Sequence, residues 1–423
     1  MKKYFQTFTK RNELMQSIAF FGSNEYICIV YNLNILPTMK KTAVFYSFVL
    51  LLFAACSTSE KTEINAGFYS RLAGQLNYLV SHTIDSLNVP RSYSADKGYR
   101  MVDFNDWTCG FPAGSYWYMY ELTGDESWKR IAVENTLKLD GVQYLTNTHD
   151  LGFMVFCSYG NAFRVTGDTV YRNVILRASE SLITRFNPTV GCIRSWDHGK
   201  WQFPVIIDNM MNLEMLFRAS KETGDPKYKD IAVKHANTTL ANHFRENMSS
   251  YHVLDYDTIS GKVIAKQTHQ GYSDDSSWGR GQAWGLYGFT VCYRETGDPE
   301  YLDAAVKIAD YILANLPDDM VSYWDYNDPK IPDTYRDASA AAITASALYE
   351  LSKYTNNKYL KQADKIVNSL SSDKYMADYG TNGGFLLKHC VGHLPGNSEI
   401  DVPLNYADYY YLEALKRKRE ISK

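Results

Sequence analysis

Two aspartates, Asp150 and Asp208, stand 58 residues apart in a chain of 423. Two carboxyls facing each other across a pocket are the basic apparatus of glycosidic chemistry, one giving a proton and the other meeting positive charge. One of them has to be held protonated, and burial against apolar or aromatic surface achieves this by raising its pKa. Phe153, Trp196, Trp201 and Trp278 are candidates for that surface, while His252 and the pair His269-Gln270 offer further donors. His198 and His235 read as surface or packing histidines. No Ser-His-Asp order, phosphate loop or zinc spacing competes. Composition points the same way: 34 Tyr, 19 Phe and 8 Trp make the chain 14% aromatic. Rings in excess of core needs line carbohydrate grooves, although a Tyr-rich helical core would give the same count. The net charge of −3 excludes a basic surface for nucleic acid.

These residues need elements to hold them. From about residue 62 the pattern is nearly all helical, with apolar residues three and four apart and few alternating β-branched runs. A turn motif recurs as Thr123-Gly124-Asp125, Thr166-Gly167-Asp168, Thr223-Gly224-Asp225 and Thr296-Gly297-Asp298, with a degenerate copy at Thr355-Asn356-Asn357. Gly ends one helix in the left-handed conformation, with Asn the next-best residue there. Asp caps the following helix, and Pro226 and Pro299 sit at its first position, where a missing N–H costs nothing. A sixth, closing helix is read in Tyr406 to Leu415. Six hairpins suggest a closed (α/α)6 toroid or an open solenoid, and unequal spacings of 43, 57, 73 and 59 residues favour the toroid. The fold class expected is therefore all-α.

The same register locates the site. Seventeen residues before each turn Gly, or Asn356, stand Trp107, Asp150, Ile207, Arg280 and Ser339. Each lies near a helix start, and equivalent starts in a toroid gather at one mouth. Helix capping explains Asp208 or Ser339 singly, but hardly the Trp, His, Arg and Gln beside them.

At these positions the chain resembles glycoside hydrolase family 88, the unsaturated glucuronyl hydrolases. The likeness is carried by Asp106-Trp107-Thr108-Cys109-Gly110-Phe111, His149-Asp150-Leu151-Gly152-Phe153, Asp208-Asn209-Met210-Met211-Asn212 and the run Gln270 to Trp284. Gln282-Ala283-Trp284 separates it from family 105, whose members typically follow Trp-Gly-Arg-Gly with Asn-Gly-Trp. The resemblance implies hydration of the C4=C5 double bond that a polysaccharide lyase leaves on a terminal uronic acid of a glycosaminoglycan oligosaccharide. Asp208 would then be the acid/base and Asp150 an anionic partner. His252 would bond near the reacting centre, with Gln270 and Arg280 on the sugar. Trp107, Trp196 and Trp284 would be stacking walls; His149, Lys266 and Thr268 complete the expected binding set. No metal or organic cofactor is implied. The rival readings are a family 105-like unsaturated rhamnogalacturonyl hydrolase and a non-catalytic surface glycan-binding lipoprotein.

The N-terminus reads separately. Met39-Lys40-Lys41, an uncharged run from Thr42 to Ala55, and Cys56 after Ala-Ala describe a secretory signal and resemble a lipobox, with Phe53 departing from the usual aliphatic residue. The expectation is an upstream extension over 1–38, a signal over 39–56 and a single catalytic domain over 57–423. The protein would be exported, periplasmic or anchored through Cys56, in a Gram-negative bacterium. Cysteines 109, 157, 192, 292 and 390 are widely spaced and lack CxxC, so buried free thiols are expected.

Overall fold

A computed structural model of the protein describes residues 64–422 apart from Asp85. The upstream extension, the signal pattern and Cys56 lie outside the described residues.

Among the described residues, twelve α-helices alternate between an inner and an outer ring. The inner members are α2 (Gly110–Thr123), α4 (Asn161–Thr166), α6 (Leu213–Thr223), α8 (Gly279–Thr296), α10 (Ala338–Ser352) and α12 (Asn405–Ile421). The outer members are α1 (Ala66–Thr83), α3 (Glu126–Leu137), α5 (Thr169–Ile183), α7 (Pro226–Asn242), α9 (Pro299–Asn315) and α11 (Leu360–Leu370). Burial separates the two rings. Every residue of α10 is buried, whereas α11 buries only Ala363, Ile366, Val367 and Leu370, a single stripe at helical spacing. Each inner helix packs on the next, the step between α4 and α6 being made by the stretch Gly152–Gly160 that leads into α4, and α12 packs back on α2, so the ring is closed. The expected (α/α)6 toroid is therefore present, with α1 in the sixth outer position. Gln75 of α1 donates from Nε2 to the carbonyls of Thr381 and Phe385, at 2.9 and 3.0 Å, tying the first helix to the segment leading into the last.

The turn motif works as its chemistry suggests, with a part for threonine as well. Gly124, Gly167, Gly224 and Gly297 take φ between 71° and 74°. The Asp after each accepts from a backbone N–H two residues on. The Thr hydroxyl donates to the carbonyl four residues back and accepts from the Asp N–H, as Thr223 does with Ala219 and Asp225. The aromatics after the turns, Trp128, Tyr171, Tyr228, Tyr301 and Tyr359, are all buried between the rings.

Inner helices approach closely where a side chain is missing. A Cβ on Gly110 would stand 2.3 Å from the Met154 carbonyl oxygen, and one on Gly288 would stand 2.4 Å from Met210 Cβ. Two features depart from the helical reading. The stretch Gly152–Gly160 ahead of α4 is π-helical, and Ile207–Asn212 ahead of α6 is a 3₁₀ turn. Nine short strands also occur among the described residues. Three of them, β5 (Pro204–Ile206), β6 (Val253–Tyr256) and β7 (Val263–Gln267), form an antiparallel sheet. Another pair, β8 (Cys390–His393) and β9 (Ser398–Val402), makes a hairpin. The five expected thiols are free and buried.

Candidate active site

The three-stranded sheet gathers one half of the site. Ile206 pairs with Val253 and Val253 with Gln267, so the end of β5, the start of β6 and the end of β7 share one edge. Asp208 follows β5, His252 precedes β6 and Gln270 follows β7, which brings together residues spread over more than sixty positions. The other half comes from the starts of inner helices: Asp150 before the π-helical stretch, Arg280 at the second residue of α8 and Tyr406 at the second of α12. The N-termini of α8, α10 and α12 lie at this mouth, and the partial positive charge at a helix N-terminus favours an anionic ligand.

Asp208 is buried, and its Oδ2 has no hydrogen-bond partner. Burial pushes its carboxyl up to about 7; the Arg280 charge opposes this and the Asp150 charge adds to it. His252 Nδ1 accepts from the backbone N–H groups of His269 and Gln270, both at 3.1 Å. Its proton is thereby fixed on Nε2, which lies 3.7 Å from Asp208 Oδ2. Burial also holds His252 well below the ordinary histidine range, so the ring is a neutral donor. Asp150 Oδ2 accepts from the Thr148 hydroxyl at 3.0 Å, and its Oδ1 lies 3.3 Å from His149 Nε2. Burial raises Asp150 to about 7 as well, and Asp106 adds to the shift. Burial thus raises Asp150 as well as Asp208, where an ionised partner was expected. Burial is the main cause in both, and the Asp150 charge adds to the shift at Asp208.

Arg280 is 1% exposed and held on three sides. Nη1 donates to Asp337 Oδ2 at 2.9 Å and to the Val391 carbonyl at 2.5 Å, and Nη2 donates to the Gly392 carbonyl at 2.6 Å. The guanidinium carbon lies 4.5 Å from the Trp278 ring centre and 5.4 Å from that of Tyr406. A guanidinium has five N–H donors. Three are used here, and Nε is buried with no partner.

The remaining expectations divide. Trp107 packs on Phe153 at 5.5 Å and on Tyr406 at 5.0 Å, and Trp284 packs on Phe153 at 5.0 Å. With Phe111 and Tyr410, they form an aromatic floor across the ring. Trp196 packs tilted against Trp201 at 5.1 Å and edge-on to His269 at 5.2 Å, making a side wall. His198, read as a surface or packing histidine, lies stacked on the Trp196 ring at 5.5 Å. Gln270 bonds Gly392 through Nε2 at 3.1 Å. His149 is buried, and burial lowers it to about 3, so the ring beside Asp150 is neutral. Two expected binding residues are otherwise engaged. Lys266 donates to the Asn242 carbonyl at 2.7 Å and lies over Tyr251. Thr268 closes its own loop, its hydroxyl accepting from Gly271 N and its N–H donating to Asp274. Both shape the loop that carries Gln270, and neither bonds the carboxyl pair. Sequence reasoning missed Thr148 and Tyr406 as site residues. Tyr406 had a usable signal, since it begins the sixth inner helix as Trp107 and Arg280 begin theirs.

A closed ring of helical hairpins with paired, buried carboxyls in an aromatic mouth defines a carbohydrate-cleaving hydrolase. Residues 85–419 match Glycosyl Hydrolase Family 88, and the chain belongs to that family. It is 49% identical over 371 residues to an unsaturated glucuronyl hydrolase of Formosa agariphila, covering 86% of this chain and 93% of that one. An unsaturated chondroitin disaccharide hydrolase of Streptococcus pneumoniae is 37% identical, with 78% and 85% covered. Among solved structures, an unsaturated glucuronyl hydrolase specific for heparin superposes with a TM-score of 0.81 at 50% identity, covering 84% of this chain and 97% of that one. The unsaturated glucuronyl hydrolase of Bacillus sp. GL1 gives 0.76 at 32% identity, with 82% and 96% covered.

Proposed function

We propose that this protein removes the terminal 4,5-unsaturated glucuronyl residue from lyase-made glycosaminoglycan oligosaccharides by hydrating the C4=C5 enol ether. The observation that carries this reading is a buried carboxyl, Asp208, titrating near neutrality beside the neutral Nε2–H of His252. Such a group is poised to give a proton to carbon at neutral pH. The proton goes to C4, and positive charge spreads over C5 and the ring oxygen. A water then adds at C5 and returns its proton to the Asp208 carboxylate. The C5 hemiketal opens, and the rest of the glycan leaves without attack at the anomeric carbon. Asp150, in its ionised fraction, stabilises the developing cation. The two unused donors of Arg280 are available to the C5 carboxylate, whose charge the helix N-termini also favour.

Known relatives support this choice of substrate. A solved mutant of the Streptococcus agalactiae unsaturated glucuronyl hydrolase, 30% identical with a TM-score of 0.73, is complexed with dGlcA-GalNAc6S. The test is turnover of a panel of lyase-made disaccharides from heparin, chondroitin and hyaluronan in deuterated water. Loss of the enol-ether absorbance should accompany one solvent deuteron at C4 of the product. A product with no deuteron there, or cleavage of the saturated glucuronide at the same rate, overturns the hydration reading.

A further inference from the structure

We propose that Asp337 is a positioning residue for this reaction, fixing which edge of the Arg280 guanidinium faces the substrate. The inference rests on the function proposed above and concerns a residue that touches no reacting atom. Asp337 is fully buried at the N-terminus of α10. Its Oδ1 accepts from Ser339 N at 3.0 Å and from the Ser339 hydroxyl at 2.6 Å, which is ordinary helix capping. Val391 N in β8 points to the same oxygen at 3.4 Å. Oδ2 does something a cap does not need, accepting from Arg280 Nη1 at 2.9 Å. One carboxylate therefore joins three elements: the start of α10, strand β8 and the arginine at the start of α8.

The consequence lies in donor arithmetic. Asp337, with the carbonyls of Val391 and Gly392, takes both Nη1 hydrogens and one on Nη2. What remains is Nε–H and one Nη2–H. Nε is orphaned in a fully buried place, and a buried donor without a partner is costly unless a ligand completes it. The Trp278 and Tyr406 rings beside the guanidinium restrict its plane, leaving rotation within that plane as the freedom to be removed. Asp337 removes it. The side-on edge, which can pair with two carboxylate oxygens, is left for the uronate.

The test separates this role from capping. Asn caps helices as well as Asp, so Asp337→Asn keeps the cap and loses the ionic hold on Arg280. KM for an unsaturated disaccharide should rise about tenfold or more, the scale of one charge-assisted hydrogen bond. The kcat should change far less, because the carboxylate contact is made equally in ground and transition states. The alkaline limb of the pH profile should move to lower pH, since Arg280 without its counter-charge favours the ionised form of Asp208 more strongly. In an Arg280→Gln background, Asp337→Asn should add little further loss. Wild-type KM and pH profile in Asp337→Asn, or additive KM losses in the double variant, would reduce Asp337 to a cap. A measurement that does not depend on any change at Asp337 uses the inactive Asp208→Asn protein. Its Arg280 Nε–H resonance should shift when disaccharide is added, and an unmoved resonance overturns the proposal. Failure of wild-type turnover would instead sink the hydration reading, so the two failures are distinguishable.

Discussion

At the scale of single residues the site is held against its own stability. Asp150 and Asp208 are both pushed up to about 7 by burial. A carboxyl raised in the folded state contributes stability that is fully present below its unfolded pKa near 3.9 and is lost as pH rises through the folded value. Each carboxylate is therefore a burden above pH 7 and none at pH 4. Asp208→Asn should melt higher than wild type at pH 8, by an amount on the order of a few kcal/mol, and the gain should vanish near pH 4. Turnover should meanwhile fall about 10²–10⁴-fold, the usual scale for a lost general acid. Melting curves at the two pH values decide it: a variant no more stable at pH 8 would mean that Asp208 is not strained by burial. Both aspartates were legible in the sequence because they share a helix-start register. That burial raises both was not, since burial comes from packing by distant segments.

At the scale of elements, what the sequence conceals is the sheet that assembles Asp208, His252 and Gln270. Its strands run only three to five residues, too short for an alternating pattern to emerge from a helical background. The signal was Val205-Ile206, Val253-Leu254 and Val263-Ile264, pairs of apolar, mostly β-branched residues. Lys266 and Thr268 show the same limit of local spacing: tertiary neighbours set the bond of Lys266 to the Asn242 carbonyl and those of Thr268 within the Gln270 loop. The hairpin turns were legible because their demands are local. Gly224→Ala should destabilise by roughly 1 kcal/mol, because φ near 74° penalises a Cβ. No atom lies within 4 Å of that added Cβ, so sterics beyond the backbone play no part. Denaturant titration checks it, and the variant should keep wild-type kcat because the turns lie at the end of the inner helices away from the carboxyls. Lost activity at full folding would contradict that placement.

At the scale of the molecule, the chain is acidic yet is proposed to bind an anion. Residues 1–56 hold six Lys or Arg and two acids, so the remainder is more negative than the chain's −3. Long-range repulsion is screened by salt, whereas the buried Arg280 contact is screened little. The KM for an unsaturated disaccharide should therefore stay level or fall between 20 and 200 mM salt. A steep rise would show that capture depends on exposed basic residues instead.

The closed ring has a consequence in time. Asp150 and Asp208 leave the ribosome well before Asn405–Ile421, the helix whose Tyr406 and Tyr410 complete the aromatic floor and whose return to α2 shuts the circle. Until then the mouth has a missing wall, and carboxyls open to water titrate near 4. Burial on closure favours the protonated form of both. A chain stopped short of that helix would carry both aspartates in an unclosed ring, without the full burial that raises them.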